Sequence, residues 1–456
     1  MESADAVVAA MREAVPEGRG ALDARETSAL RTLTQALGTA RPGAHQEYLR
    51  FQAVRDREIA VCHAEAAEWI GGRDVLVTGG TGCIGSMLME QLARLGPRRL
   101  VSLSRGATAP RRRLPDAEYQ LVDIRDKAAL AEVFARTRPQ VVFHLAAQRD
   151  PSLAEIEVHR TVTTNILGTR NVLELAVERE VPDVVVASTG KALRPYSPDV
   201  YAASKRAAEW LTARAAARGA SRISAARFTH VVDNSIIARR LRHWCKSGVI
   251  RLHGTDIDFY VQSATESAQL LLNAGLGGRA DVVRMHAIRD LGWPVNLLDL
   301  TLGMIVETRS QSPIYIAGYE SGYERTPFPA LYDPRTAGGI SPLINMFEAA
   351  SAVPDSCPQV DVFDMPAPSE DSEALLCLKE LEETAQCTDE SAPVRDAFDA
   401  LSRALLDTTL RDVPKPALSR AVQLTAQIAD TEAAAAGLEP AHRLLLAALR
   451  RWSEAG

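Results

Sequence analysis

Apolar positions change rhythm along this chain, and each rhythm predicts a different kind of element. In residues 1–72, Leu30, Leu33 and Leu37, then Tyr48, Phe51, Val54 and Ile59, recur at helical spacing. We read this zone as a helical N-terminal extension of two or three helices, broken at Pro16-Glu17-Gly18 and at Arg41-Pro42-Gly43. From Asp74 the pattern becomes short apolar runs separated by amphipathic stretches. The runs are Val75–Val77, Leu100–Leu103, Gln120–Val122, Val141–Phe143 and Val184–Val186. Strands alternating with helices predict βαβ units and a parallel sheet buried on both faces, a doubly wound α/β fold of the Rossmann type. That domain is placed at 73–230, followed by a smaller substrate-binding region at 231–352 with Gly-, Pro- and aromatic-rich loops. A Pro/Ser/Asp stretch predicts a linker at 353–372. Helical spacing returns at 373–456, where Leu375, Leu376, Leu378 and Leu381, then Leu401, Leu405 and Leu406, mark apolar faces. A last hairpin, Ala433–Ala436 and Leu444–Leu449, would bend near Gly437 and Pro440. No internal repeat is present, and the pattern does not choose between terminal zones that pack together and zones that build an oligomer interface.

Composition narrows the partners. The 456 residues exceed one ordinary compact domain, and 46% hydrophobic residues fit a folded chain. A net charge of -6 argues against a nucleic-acid binder, and no apolar run approaches the roughly 20 residues of a membrane span. The first residues, Met1–Ala10, lack the basic start of a secretory signal. Six cysteines without C-x-x-C pairs suggest a reducing cytoplasm, no disulfide framework and no zinc site; no His/Glu spacing suggests any other metal.

The candidate chemistry begins at Asp74-Val-Leu-Val-Thr-Gly-Gly-Thr-Gly-Cys-Ile-Gly85. A strand here runs into a turn with Gly79, Gly82 and Gly85, and then into a helix. Such glycines permit the tight turn, the approach of backbone to a pyrophosphate, and close helix–strand packing, while helix N-terminal amides hold the negative charge. The next strand ends in Ser104-Arg105, where an acid would select a ribose 2′-hydroxyl. A serine and a guanidinium favour a 2′-phosphate, so NADP stands ahead of NAD. Asp123 is placed to accept the adenine amino group, and Arg111–Arg113 reads as a solvated loop. Tyr201 and Lys205 lie four apart and so share one helix face. A nearby ammonium favours the phenolate, a base for a substrate hydroxyl as hydride departs.

Together, Thr78–Gly85, Asp123-Ile-Arg-Asp126, Phe143-His-Leu-Ala-Ala147, Thr164-Asn-Ile-Leu-Gly168 and Tyr201-Ala-Ala-Ser-Lys205 resemble the extended short-chain dehydrogenases. More narrowly, the chain is similar to the polysaccharide-biosynthesis branch that includes inverting UDP-N-acetylglucosamine 4,6-dehydratases. Ser188-Thr-Gly-Lys-Ala192 resembles that branch's Ser-Thr-Asp-Lys-Ala segment, and Leu252–Asp256 through Ala274 and Ser312–Gly318 resemble its substrate-domain segments. The likeness covers roughly 73–350.

It implies a cofactor shell of Gly79, Thr81, Gly82, Cys83, Ile84, Gly85, Ser104, Arg105, Asp123, Ile124, Leu145, Ala146 and Ala147, with Tyr201 and Lys205 at the nicotinamide end. It implies Tyr201 as base for the C4 hydroxyl, Lys205 as its helper, Thr189 as hydrogen-bond partner of the reacting oxygen and Lys191 as base for the C5 proton. Asn165 and His144 read as structural, while Arg149, His230, Asn234 and Arg325 are candidates for substrate contact; His253 and Asp256 are weaker ones. The departure is Gly190, which stands where the dehydratases carry an aspartate that protonates the leaving C6 hydroxyl. The expected activity is a nucleotide-sugar epimerase or dehydratase working through a 4-keto intermediate, with NADP bound tightly and recycled, in a cytoplasmic homo-oligomer. The alternatives are a simple NADP-dependent oxidoreductase and a non-catalytic scaffold that keeps the cofactor site.

Overall fold

The computed structural model describes all residues except 1–2, 220, 247, 320–338, 366, 369–371, 430–439 and 455–456. Contacts divide the chain into two compact units.

The larger unit holds residues 59–228, 267–290 and 321–456. Its sheet begins with five parallel strands, β1 (Asp74–Thr78), β2 (Arg99–Ser104), β3 (Ala117–Leu121), β4 (Val141–His144) and β5 (Asp183–Thr189). β6 (Arg222–Phe228) and β7 (Val283–Ile288) continue the parallel pairing. β8 (Val353–Pro354) and β9 (Val360–Met365) close the edge in antiparallel pairing, giving the order β8-β9-β7-β6-β5-β4-β1-β2-β3. β1 and β4 are buried along their whole length, as expected of strands covered by helices on both faces. β3, at the other edge, is half-exposed and carries Glu118 and Gln120. The expected Rossmann sheet is therefore present. The crossover helices include α1 (Cys83–Arg94), α2 (Lys127–Thr137), α3 (Thr169–Glu178) and α4 (Val200–Ala216).

The stretch expected to be a linker, 353–372, instead supplies β8 and β9. Its polar look has a physical cause. Asp361 is buried and pairs with Arg289 at 2.6 Å, and Asp364 pairs with Arg284 at 3.1 Å. The acids that read as loop are neutralised by arginines from β7 and the turn after it. The C-terminal helices pack within the same unit. Residues Ser391–Asp412 bury Val394, Phe398, Leu401 and Leu405, while Arg170 forks onto Glu382 and the Tyr196 hydroxyl donates to Asp399 at 2.6 Å. Ala433–Ala436 and Gly437 lie outside the described residues.

The smaller unit joins residues 1–58 to 229–266 and 291–320. The N-terminal zone thus divides. Helices Ala4–Ala14, Ala24–Ala40 and Ala44–Ala53 share a core with Ile236–Lys246 and Leu297–Thr308. His63–Ile70 belongs with the sheet, where the Trp69 indole donates to Asp183 at 3.0 Å. The expected helix breaks are real: a capping box at Asp23 and Glu26 restarts the chain after the first, and the Tyr315 hydroxyl donates to the carbonyl of Pro16 at 2.8 Å. Among the described residues, no helix is long and apolar enough to cross a membrane.

Candidate active site

The Gly-rich turn follows β1 directly. Gly79 sits at φ +76°, and a Cβ there would stand 2.8 Å from the backbone nitrogen of Ala146. Only glycine fits both the left-handed backbone and the close approach of the β4 loop. Gly85 is pressed against the backbone of Gly79 and Gly80, where a Cβ would clash, so the first turn of α1 lies on the glycine turn. Gly82 is the N-cap of α1 and offers no side-chain cap. Thr81 and Gly85 are buried, while Cys83, Ile84, Leu145, Ala146 and Ala147 are half-buried around the turn.

At the ends of β2 and β3 the charges gather. The Ser104 hydroxyl accepts from Gly106 at 3.3 Å. The exposed Arg105 has its guanidinium pKa lowered by partial desolvation and by the neighbouring charges of Arg160 and Arg125, with Asp123 opposing. The Asp123 carboxylate is already engaged, accepting from Arg125 Nη2 at 2.7 Å. Burial works to raise its pKa, yet the Arg125 hydrogen bonds hold it below the usual carboxylate range. Arg125 was visible only as the third residue of a motif, and nothing in the sequence singled out Arg160.

The third group lies where β5 meets α4. Asp199 caps α4, its Oδ1 accepting from Ala202 at 3.0 Å, and its Oδ2 accepts from Lys191 Nζ at 3.0 Å. Two residues on, Tyr201 shares a hydrogen bond with the Thr189 hydroxyl. Burial pushes the Tyr201 phenol up to about 12, against the pull of Thr189 and the Arg149 charge. Lys205 is buried and donates to the carbonyl of Ala187 at 2.8 Å; burial brings its ammonium down to about 8, with Glu209 opposing. Thr189, Lys191, Tyr201 and Lys205 are therefore brought together, with Arg149 close enough to act on the phenol. Asp199 was not singled out in the sequence.

The two residues read as structural are fully committed. His144 is buried between the hydroxyls of Thr78 and Thr169, at 2.8 and 2.9 Å, and burial pushes it down to about 3, so it is neutral. Asn165 sits in a π-helical turn, Thr163–Gly168. Its Oδ1 accepts from Gln148 N at 2.7 Å, and its Nδ2 donates to Gln148 O at 2.9 Å and Ser204 Oγ at 3.0 Å. It ties the β4 loop to α4. Another unforeseen element is Arg227, wholly buried at the end of β6, which pairs with Glu209 of α4 at 2.8 Å and with Glu348 at 2.6 Å. Ser188 also donates to Glu209, at 2.6 Å.

His230, 2.6 Å from Ser235 Oγ and edge-on to Phe259, belongs to the smaller unit, as do Asn234, His253 and Asp256. Arg325 lies outside the described residues. Among the described residues, no cluster of three or more His, Cys, Asp or Glu could hold a metal.

A parallel sheet in this order, with a glycine turn after β1 and a Thr-Tyr-Lys group where β5 meets α4, defines a Rossmann protein of the short-chain dehydrogenase type. The chain belongs to the polysaccharide biosynthesis protein family, which it matches over residues 75–325. It is 26% identical over 301 residues to a probable polysaccharide biosynthesis protein, EpsC, of Bacillus subtilis, covering 63% of this chain and 50% of that one. It is 30% identical over 171 residues to an inverting UDP-N-acetylglucosamine 4,6-dehydratase of Campylobacter jejuni, covering 36% of this chain and 50% of the relative. The chain spans about half the length of these curated relatives. The crystal structure of Pen from Bacillus thuringiensis shares the fold at a TM-score of 0.54 and 22% identity, covering 66% of this chain and 89% of that one.

Proposed function

We propose that this chain modifies a nucleotide-linked sugar by oxidising C4, removing the C5 proton, and restoring the hydride within one catalytic cycle. The observation that carries the reading is the group of Thr189, Tyr201, Lys205 and Lys191 gathered at the C-terminal edge of the sheet. The names of the relatives support the substrate class: inverting UDP-N-acetylglucosamine 4,6-dehydratases of Campylobacter jejuni and a UDP-glucose 4-epimerase of Rickettsia rickettsii.

The glycine cradle at Gly79 and the uncapped start of α1 fit a dinucleotide pyrophosphate. Arg105, Arg125 and Arg160 around Asp123 favour a 2′-phosphate on its adenosine ribose, and hence NADP. A bound nicotinamide would accept hydride from C4 and give it back. Tyr201 takes the proton of the C4 hydroxyl, which Thr189 holds by hydrogen bond. Burial holds the Tyr201 phenol protonated, the Thr189 hydrogen bond and the Arg149 charge pull it toward the phenolate it needs, and Lys205, one turn on, is the helper that adds its ammonium. With C4 a ketone, the C5 proton becomes acidic. Lys191, positioned by its 3.0 Å bond to Asp199, accepts the C5 proton as a free amine after releasing its own proton to solvent.

The test is turnover of a panel of nucleotide sugars in deuterated water, with absorbance recorded for reduced cofactor. One new carbon-bound deuterium and no accumulating reduced cofactor are expected, with deuterium entry lost in Tyr201→Phe. Steady accumulation of reduced cofactor would point to a simple oxidoreductase, and no turnover of any sugar would remove the nucleotide-sugar reading.

A further inference from the structure

The position after Thr189 is filled from a distant part of the chain. Gly190 opens a short turn, Gly190–Leu193, and a Cβ built on it would stand 2.7 Å from Cδ2 of Leu343. Any side chain at 190 would project into the space that the Leu343 methyl occupies. Leu343 is itself buried.

Its segment is held at several points. Ser341 N donates to the buried Asp361 at 2.8 Å, and Leu343 N donates to Ser341 Oγ at 3.1 Å. Arg227 Nη1 donates to the carbonyl of Leu343 at 3.2 Å, while the same guanidinium holds Glu348 and Glu209. Asn345 Nδ2 donates to the carbonyl of Leu193, at the far end of the Gly190 turn, at 3.0 Å. Glu209 lies two turns beyond Tyr201 on α4, so one buried ion triad joins the helix of the reacting groups to the segment that carries Leu343. Arg206 also reaches Glu209, at 3.3 Å, so the buried charges are met from two sides and removing any of these groups unbalances the rest, which fixes the placement.

We propose that Leu343 determines the outcome of the reaction: it occupies the place of an acid beside Thr189 and commits the site to chemistry in which no hydroxyl leaves. This inference rests on the C4-oxidation reading above. Loss of water requires the C6–O bond to break and a proton to reach the departing oxygen. An aliphatic side chain has no proton to give and excludes a water that could. Asp199, whose charge acts on Tyr201, uses its two oxygens to accept hydrogen bonds from Ala202 N and Lys191 Nζ, as helix cap and as holder of Lys191. What remains balances with solvent as the proton source. The C5 proton passes to Lys191, which releases it to solvent, and a solvent proton returns to the opposite face of C5. Hydride leaves C4 and returns to C4, and the O4 proton goes to Tyr201 and back. The product keeps every oxygen of the substrate and differs by configuration.

The experiment compares wild type, Gly190→Asp, Leu343→Ala and the double variant Gly190→Asp/Leu343→Ala on the same nucleotide-sugar panel in deuterated water, reading product mass, with thermal unfolding as the check on folding. The wild-type product is expected to have the substrate's formula plus one carbon-bound deuterium. The double variant, with room for a carboxyl, is expected to form a product lighter by one water at least about tenfold faster than Gly190→Asp. A wild-type product already lighter by one water overturns the proposal and needs no variant to be read. So does a Gly190→Asp variant that dehydrates as fast as the double variant, or a folded double variant that exchanges deuterium yet sheds no water. In all three cases the C4-oxidation reading stands. Absence of turnover and exchange in the wild type with every sugar would instead remove that reading, and this inference with it.

Discussion

Lys205 shows how a reacting group can be held at a cost to the fold. Its ammonium is buried and brought down to about 8, with burial as the main cause. Between about pH 8 and the unfolded value near 10.4, the unfolded chain binds the proton and the folded chain does not, so stability rises with pH across that window. Below pH 8 the penalty is present in full. Lys205→Met is therefore expected to be more stable than wild type at pH 7, by roughly 2–4 kcal/mol, with the difference shrinking by pH 10; thermal unfolding at the two pH values reads it. The same variant is expected to lose at least about a hundredfold in turnover, because the phenol, pushed up to about 12 by burial, loses the lysine one turn away assigned as its helper. Asp199 permits a complementary test. Asparagine caps a helix as well as aspartate, so Asp199→Asn should leave unfolding within about 0.5 kcal/mol while slowing deuterium entry at C5 by about tenfold or more. Loss of fold without a selective loss of exchange would make Asp199 a cap and nothing else. Tyr201 and Lys205 were legible because their spacing and the strand before them are local in sequence. Asp199 and Arg160 were not, since each acts through a neighbour that only the folded chain supplies.

Elements were legible in proportion to how far their pattern was local. Four of the strands from Asp74 to Thr189, β1, β2, β4 and β5, declare themselves as apolar runs because both faces are covered, while β3, half-exposed at the edge, does so only at its end. β9 does not, because Asp361 and Asp364 interrupt Val360, Val362 and Phe363. Their charges are met across the sheet by Arg289 and Arg284, a pairing that no window of sequence contains. Arg227 joins three elements that are distant in the chain: β6, α4 and the segment around Glu348. Burial disfavours the charge of Glu209, yet Arg227 holds its carboxyl below the usual range. Arg227→Met would leave the buried Glu209 and the half-buried Glu348 with only Arg206, at 3.3 and 4.0 Å, as a cation. We expect a loss of about 3–5 kcal/mol in denaturant-induced unfolding, together with loss of turnover, because the helix that carries Tyr201 is fixed by the same triad. A change below about 1 kcal/mol would mean that the triad is not what fixes that helix.

For the molecule as a whole, the chain order misleads about what belongs together. Residues 1–58, first in sequence, share a unit with 229–266 and 291–320, whereas the C-terminal helices complete the unit of the sheet. The second point has a measurable consequence. Helix Ser391–Asp412 buries Leu401 and Leu405, and its Arg395 reaches Glu155 at 2.9 Å. A helix tied in this way is part of the fold of the sheet unit, not an appendage attached to it. Leu401→Ala should then lower stability by about 2–5 kcal/mol, as for a core leucine, and Leu376→Ala, at an exposed position, by less than about 0.5. The decisive reading is where the loss is felt. Hydrogen exchange at the β5 amides Val184–Val186, deep in the sheet, reports the opening of the unit. If the C-terminal helices complete it, Leu401→Ala accelerates exchange at those amides as much as within Ser391–Asp412. Faster exchange confined to 372–454 would show that these helices open alone, and would return them to the separate extension that the sequence pattern first suggested.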